Sequence, residues 1–294
     1  MRTGSIELRC SDNCAVIALH GAELTSWRVG NVETIWTPDA AIWDRSSPIL
    51  FPVVGWCRDA RIRVDGQHYP MGVHGFAAHH DFEVIEQSED KAIFSLRDND
   101  STRVHFPFAF ELRVAYALTP HALSMTLNIL NRSDDEMPFA CGVHPGFCWP
   151  LGPADRQAHR IEFVDHENPY VPVIAPGGLF SEESRAIALD GRRLALKDET
   201  FAQEALCFLD ARSRSLIYGA DKGPRLRASF ENFPHLAVWS KPGAPFVCLE
   251  AWTGHGDPVG FSGELRDKPS MILLPPGGQS EHRATFELLT TNGR

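Results

Sequence analysis

No stretch of this chain approaches the roughly 18 consecutive apolar residues of a membrane-spanning helix. The opening residues MRTGSIELRCSDNCAVIALHG are polar or charged where a secretory leader has its apolar segment. Neither a membrane span nor export by that route is expected. A basic run is missing as well: Lys and Arg total 28 against 38 Asp and Glu, a formal net charge of −10. Such a chain offers little to a polyanion or an anionic bilayer, so neither nucleic acid nor a membrane is expected as a partner. The cysteines number seven, an odd count, with no Cys-x-x-Cys pair. They read as reduced thiols of a cytoplasmic protein, not as a disulfide framework.

The common catalytic signatures are absent too. APGGLF and PPGGQS match neither phosphate-cradling glycine pattern and read as turns. There is no His-Glu-x-x-His pair for zinc and no Gly-x-Ser-x-Gly elbow for a serine nucleophile. Helical periodicity is scarce, the best candidate being a short turn near ETFAQEALCF. No fixed-period repeat, low-complexity tract or composition shift divides the chain.

What is present is period-two alternation. In FAFELRVAYALT, Phe110, Leu112, Val114, Tyr116 and Leu118 alternate with Glu111, Arg113, Ala115 and Ala117. In HALSMTLNILN, Leu123, Met125, Leu127 and Ile129 alternate with Ser124, Thr126 and Asn128. These are half-buried strands, and Thr119, Pro120 and His121 between them make a hairpin. Shorter runs of the same kind occur at DFEVIEQ, KAIFSLRD, RLRASFE, FVCLEAW and ATFELLT. With 21 prolines and 23 glycines spread throughout, the chain reads as an all-β sandwich or barrel, one large domain over residues 1–294.

Three segments carry candidate chemistry. His144 sits in ACGVHPGFCWP, where Gly142, Pro145 and Gly146 end a strand and fix a loop. Phe147 and Trp149, just after it, are candidates for a pocket wall. His74 sits beside a glycine and an aromatic in YPMGVHGFAAHHDF. Glu250 lies on FVCLEAW, where Phe246, Cys248, Glu250 and Trp252 share one face of a strand. A carboxylate on an aromatic face is either paired or functional, because a lone buried charge is costly. Trp beside a carboxylate also suits a sugar, the indole stacking on C–H groups while the carboxylate takes a hydroxyl proton. The plain alternatives are a turn-stabilising histidine and a solvent-facing strand glutamate. His74, His79, His80 and Asp81 could also form a metal cluster, but adjacent His79 and His80 point to opposite faces of an extended chain, so no metal is expected.

In their order these segments resemble the aldose 1-epimerase (galactose mutarotase-like) family, and within it the LacX-type subgroup. The resemblance runs through HGAELTSW, TIWTPDAAIWDRSSPILFPVVG, DGQHYPMGVHGFA, MPFACGVHPGF, LAVWSKPGAPFVCLEAWTGHGD and MILLPPGG. It implies a large antiparallel β-sandwich and interconversion of the α and β anomers of a free aldose, without metal or organic cofactor. Carried over, Glu250 would be the base at the anomeric hydroxyl and His144 the acid at the ring oxygen, a carboxylate and an imidazolium working together. His74 would orient the sugar. Glu204, Trp252, Trp56 and Arg58 are the further candidates for binding it.

Two positions depart from the subgroup. Trp56 and Ala78 stand where arginine is expected, and Glu204 is the match for an expected Asp. Two fewer arginines mean fewer charge-assisted donors and argue against a phosphorylated or acidic sugar; Arg58 or Arg61 are the neighbours that could supply the charge. A sugar-binding protein of this fold with little turnover, and a sugar-phosphate epimerase, are the alternatives. The expected partner is a small sugar, with monomer and homodimer both open.

Overall fold

The computed structural model describes residues 4–289, so the expected span 1–294 runs past it at both ends. Its largest sheet has ten strands, every neighbouring pair antiparallel. The expected hairpin lies within it. Phe110–Leu118 pairs with Ala122–Asn131, and Leu118 faces Leu123 across the turn. Phe110, Leu112, Val114, Tyr116 and Leu118 are buried on one face, as their alternation requires. Glu111, on the other face, is buried as well. Arg113 Nε and an Arg132 nitrogen reach its carboxylate at 2.8 and 2.7 Å and cover it. Burial alone would raise its pKa, but the hydrogen bonds from Arg113 and Arg132 outweigh this and bring the carboxyl down to about 2.

The shorter runs form the strands Glu83–Gln87, Lys91–Arg97, Arg225–Glu231 and Phe246–Trp252. The last run belongs to Gln279–Leu289, which continues the sheet between Ala122–Asn131 and Arg225–Glu231. Thr290, at the end of ATFELLT, lies outside the described residues.

A second sheet of six strands is centred on Phe246–Trp252. It packs face to face on the first. Phe147 meets Phe286 with ring centroids 5.2 Å apart, Phe163 meets Phe208 at 4.9 Å, and the Tyr218 hydroxyl donates to Cys148 O at 2.7 Å. A four-stranded sheet running from Ser5–Cys10 to Val32–Glu33 covers the hairpin, where the Tyr116 hydroxyl donates to Ala22 O at 2.6 Å. The architecture is thus the expected all-β antiparallel sandwich.

Phe246–Trp252 is buried along its whole length, and its two faces do different things. Val247, Leu249 and Ala251 join the main core, whereas Phe246 and Cys248 pack with Trp36 and Ala244, and Trp252 packs with Leu50 and Phe180. One face of this strand therefore fills the sandwich and the other backs a cavity.

Helix is confined to short turns. The ETFAQEALCF candidate becomes a 3₁₀ turn, Asp198–Phe201, followed by the strand Leu206–Phe208. The one-turn helix Asp100–Arg103 has no apolar periodicity to announce it. A capping box starts it, in which the Asn99 side chain accepts from the Ser101 and Thr102 amides. Among the described residues no helix is long and apolar enough to cross a membrane, and all seven cysteines are free thiols.

Candidate active site

Glu250 is placed by strand register. On one side Ala237 pairs with it, and this small residue leaves its carboxylate uncrowded. On the other side the partner strand is interrupted. Gly142 and Val143 pair with Trp252 and Ala251, the ladder breaks at His144 and Pro145, and Gly146, Phe147 and Cys148 resume against Cys248, Val247 and Phe246. Both halves keep one register, so His144 falls opposite Glu250. Gly142 is required here, since a Cβ would lie 2.8 Å from Trp252 Cδ1 and 2.9 Å from Ala251 O. Proline and the ladder break free His144 from strand pairing, and its Nε2 comes 3.3 Å from Glu250 Oε2.

Both groups are buried, His144 at 7% and Glu250 at 2% exposed. Trp252 Nε1 donates to Glu250 Oε2 at 3.0 Å. Desolvation pushes the Glu250 carboxyl well above the ordinary range, only partly offset by that indole N–H. Desolvation also pushes His144 well below its ordinary value, with neighbouring His74 adding to the shift. The expected carboxylate–imidazolium pair is therefore opposed by burial, which favours the neutral form of each partner. In either form, carboxylic acid beside imidazole or carboxylate beside imidazolium, the pair holds one proton.

His74 is clamped to the segment after the strand Ile49–Leu50. Its amide donates to Gly55 O at 2.9 Å and its carbonyl accepts from Phe51 N at 3.2 Å. Gly75 next to it permits this approach, because a Cβ there would lie 2.1 Å from Phe51 O. His74 itself has φ +61°, a left-handed conformation uncommon outside glycine. Its Nδ1 accepts from the Gly55 amide at 3.1 Å, which leaves the proton on Nε2. Burial and then the nearby Lys268 charge lower its pKa to about 4, so the ring is neutral at physiological pH. The His74 and His144 rings meet edge-on, centroids 5.5 Å apart.

A cavity of about 350 Å³ opens over these groups; His74, His144, Glu250, Trp252, Trp56 and Glu204 all line it. Trp56, 46% exposed, stands at the rim against Gly178 of the hairpin formed by Tyr170–Ala175 and Leu179–Ala186. Glu204 is an exposed rim residue with φ +65°. Arg58 is the exception among the expected binding residues. It turns away into a separate hollow with Arg61, where both guanidinium groups pair with Asp59. Phe147 and Trp149 do not wall the cavity either. They point the other way into the core, Phe147 onto Phe286 and Trp149 onto Phe201. His79 closes the 3₁₀ turn Ala77–His79 and is not extended as expected, yet the two rings still part, His79 to Arg45 and His80 to the Phe76 carbonyl.

Among the lining residues that escaped the reading of the sequence are Trp43, Trp239 and Arg45. Trp43 and Trp239 each pack against the His144 ring, centroids 5.3 and 5.7 Å away, and against each other at 5.6 Å. Arg45 donates to Ala78 O at 3.1 Å and lies 2.7 Å from His79 Nδ1, so it stands beside the position where the missing arginine was expected. It is held by Glu23, whose carboxylate takes the Ser46 and Ser47 amides at 2.7 and 3.0 Å and pairs with Arg45 at 3.3 Å. The signal was present, since HGAELTSW and WDRSSP each hold one half of this contact; only their meeting in space was not legible.

Comparison with known proteins gives a consistent picture. The family model described as Aldose 1-epimerase matches residues 5–286. The chromosomally encoded protein LacX of Lactococcus lactis subsp. lactis is 30% identical over 268 residues, which cover 87% of this chain and 90% of that protein. A galactose mutarotase related enzyme from Lactobacillus acidophilus superposes with a TM-score of 0.91 at 28% identity, covering 98% of each chain. A galactose mutarotase-like protein from Lactobacillus casei ATCC 334 also reaches 0.91 at 28% identity, over 97% of this chain and 100% of its own.

Proposed function

The chain belongs to the aldose 1-epimerase family, and from that premise we propose that it interconverts the α and β anomers of a free aldose with Glu250 and His144 as its proton-transfer pair. The family supports a sugar-epimerase type of role. The observation that carries the finer reading is the 3.3 Å contact between His144 Nε2 and Glu250 Oε2 at the back of an aromatic cavity.

Opening a hemiacetal requires one proton to leave the anomeric hydroxyl and one to reach the ring oxygen. A pair holding a single proton does both without exchange with solvent. In its carboxylate–imidazolium form, Glu250 takes the O1 proton as His144 gives its own to O5. The C1–O5 bond breaks and C1 becomes a carbonyl. The pair is then carboxylic acid and neutral imidazole, the form that burial favours, so the ring-opened stage coincides with the comfortable state of the protein. Rotation about C1–C2 presents the other carbonyl face. Reclosure runs the transfers backwards and yields the other anomer. Acid–base assistance of this kind is worth roughly 10²–10⁴-fold per group. His74, neutral and with its proton on Nε2, is a hydrogen-bond donor to a sugar oxygen and not a second acid. Trp43, Trp239 and Trp252 supply apolar walls for the sugar's C–H faces.

Exchange NMR or polarimetry on a panel of aldoses tests this directly. At least one sugar should interconvert faster than in buffer, with the gain lost in Glu250→Gln. Binding without any gain in rate would make the protein a sugar receptor of this fold instead.

A further inference from the structure

Cys248 has no part in the proton chemistry and does not line the cavity, yet it lies directly behind the pair. It precedes Glu250 by two residues on the same strand face, opposite Gly146 across the strand pair. His144, Cys248 and Glu250 each offer one ligand atom, and these atoms all lie within 4.8 Å of one another with all three residues buried. It is the one such group among the described residues. Two ligands of a tetrahedral zinc, each at roughly 2.0–2.1 Å from the metal, are about 3.3 Å apart. The His144–Glu250 separation is 3.3 Å.

We propose that His144, Cys248 and Glu250 form a binding site for a thiophilic divalent cation, zinc being the best match, and that the bound ion shuts down anomer exchange. The ligand set is nitrogen, sulfur and oxygen, which suits zinc and disfavours magnesium or calcium. His144 and Glu250 face the cavity and Cys248 lies behind them, so the ion enters from the sugar side. Its fourth position then points at the sugar. Binding displaces the thiol proton and any carboxyl proton to solvent, and nothing is oxidised or reduced. The ion occupies the lone pairs on which proton transfer depends and the space where the anomeric centre sits, so it competes with sugar. His144 Nδ1 is buried without a hydrogen-bond partner among the described residues. A zinc-bound imidazole is usually braced at its far nitrogen, so this site is weaker than a structural one and serves as a reversible block.

The inhibition rests on the mutarotase reading; the binding does not, and two measurements separate them. Chelator-treated, reduced protein titrated with Co²⁺ should develop a thiolate-to-cobalt charge-transfer band that Zn²⁺ displaces. The band should vanish in Cys248→Ala and in the nearly isosteric Cys248→Ser. It should survive in Cys207→Ala, which removes the thiol that does line the cavity. Zn²⁺ should raise the apparent KM for sugar several-fold with little change in kcat, and Cys248→Ala should keep its basal exchange while losing sensitivity to zinc. No cobalt band, a band that persists without Cys248, equal zinc inhibition in Cys248→Ala, or acceleration by zinc would each overturn the proposal. If the wild-type protein exchanges no sugar, the functional reading falls and the cobalt spectrum still decides the site.

Discussion

His144 stands opposite Glu250 across a break in a strand pair: the register on both sides of the break, Gly142 with Trp252 and Gly146 with Cys248, sets them facing one another. Paired positions on adjacent strands hold their Cβ atoms about 4.5–5.5 Å apart, so the spacing of the proton pair is a property of the sheet and not of mobile loops. The break at His144–Pro145 adds the missing freedom, turning the imidazole toward the carboxylate while both flanks stay hydrogen-bonded. Proton transfer is sensitive to sub-ångström misplacement, and a rigid strand is a suitable support for it.

The first prediction follows from the shared proton. Glu250→Gln and His144→Asn should each lower kcat by about 10²–10⁴-fold, and the double variant should be little worse than either single one, because a pair that acts as a unit loses its function once. Sugar affinity measured by calorimetry should change far less. Multiplicative losses in the double variant would show that the two side chains act independently.

His74 gives the second. Its left-handed backbone, φ +61°, tolerates asparagine and resists β-branched residues. His74→Asn should fold normally, whereas His74→Val should be destabilised by about 1–3 kcal/mol. As a neutral donor at the sugar, His74 should matter chiefly for binding, so His74→Ala should raise KM more than it lowers kcat, with His74→Asn recovering part of the loss. A fall in kcat alone would place His74 in the proton transfer itself.

The third concerns charge. Arg45 is the one lysine or arginine lining the cavity among the described residues, and Glu23 already neutralises it, while Glu204 and Glu250 add carboxyl groups. A phosphate would find no uncompensated cation there. Free hexoses should therefore compete in the exchange assay better than their 6-phosphates. Tighter binding of the phosphate would overturn this and point to a sugar-phosphate substrate.

The strands were legible because alternation is local. A run such as FELRVAYAL shows its buried face without knowledge of its neighbours, and Phe110–Leu118 forms as read. Glu250, His144 and His74 stood out because glycine, proline and aromatics around them restrict the backbone, and such restrictions are written beside the residue. Arg45 was not legible as a lining residue: its place depends on Glu23, some twenty positions earlier, just before the strand Leu24–Val29. Arg58 failed for the converse reason. It is close to Trp56 in sequence, yet its amide donates to Asp257 at 2.8 Å and its side chain turns into a different hollow. The same limit applies in part to the Glu111 carboxylate, which Arg113 of its own strand covers together with Arg97 of the neighbouring strand and Arg132 just beyond another.

The last prediction concerns acid stability. His235 is 2% exposed, accepts from the Asp210 amide at 3.0 Å through Nδ1, and meets Ser270 Oγ at 3.0 Å through Nε2. Burial, reinforced by neighbouring His255, lowers its pKa to about 4. In the unfolded chain an imidazole takes its proton near pH 6.5. Between about pH 6.5 and 4 the unfolded state therefore binds more protons, so stability is full above this window and falls as the pH drops through it. At about 1.4 kcal/mol per unit, His235 alone accounts for about 3 kcal/mol of that loss at most. His159, His255 and His282 are lowered chiefly by burial and act in the same direction. Urea unfolding at pH 7.5 and 4.5 should show a marked loss of stability on the acid side. His235→Gln, which keeps a donor and an acceptor, should be somewhat less stable at pH 7.5 but lose less on acidification. An acid-side loss as large in the variant as in the wild type would mean that His235 does not stay neutral in the folded protein.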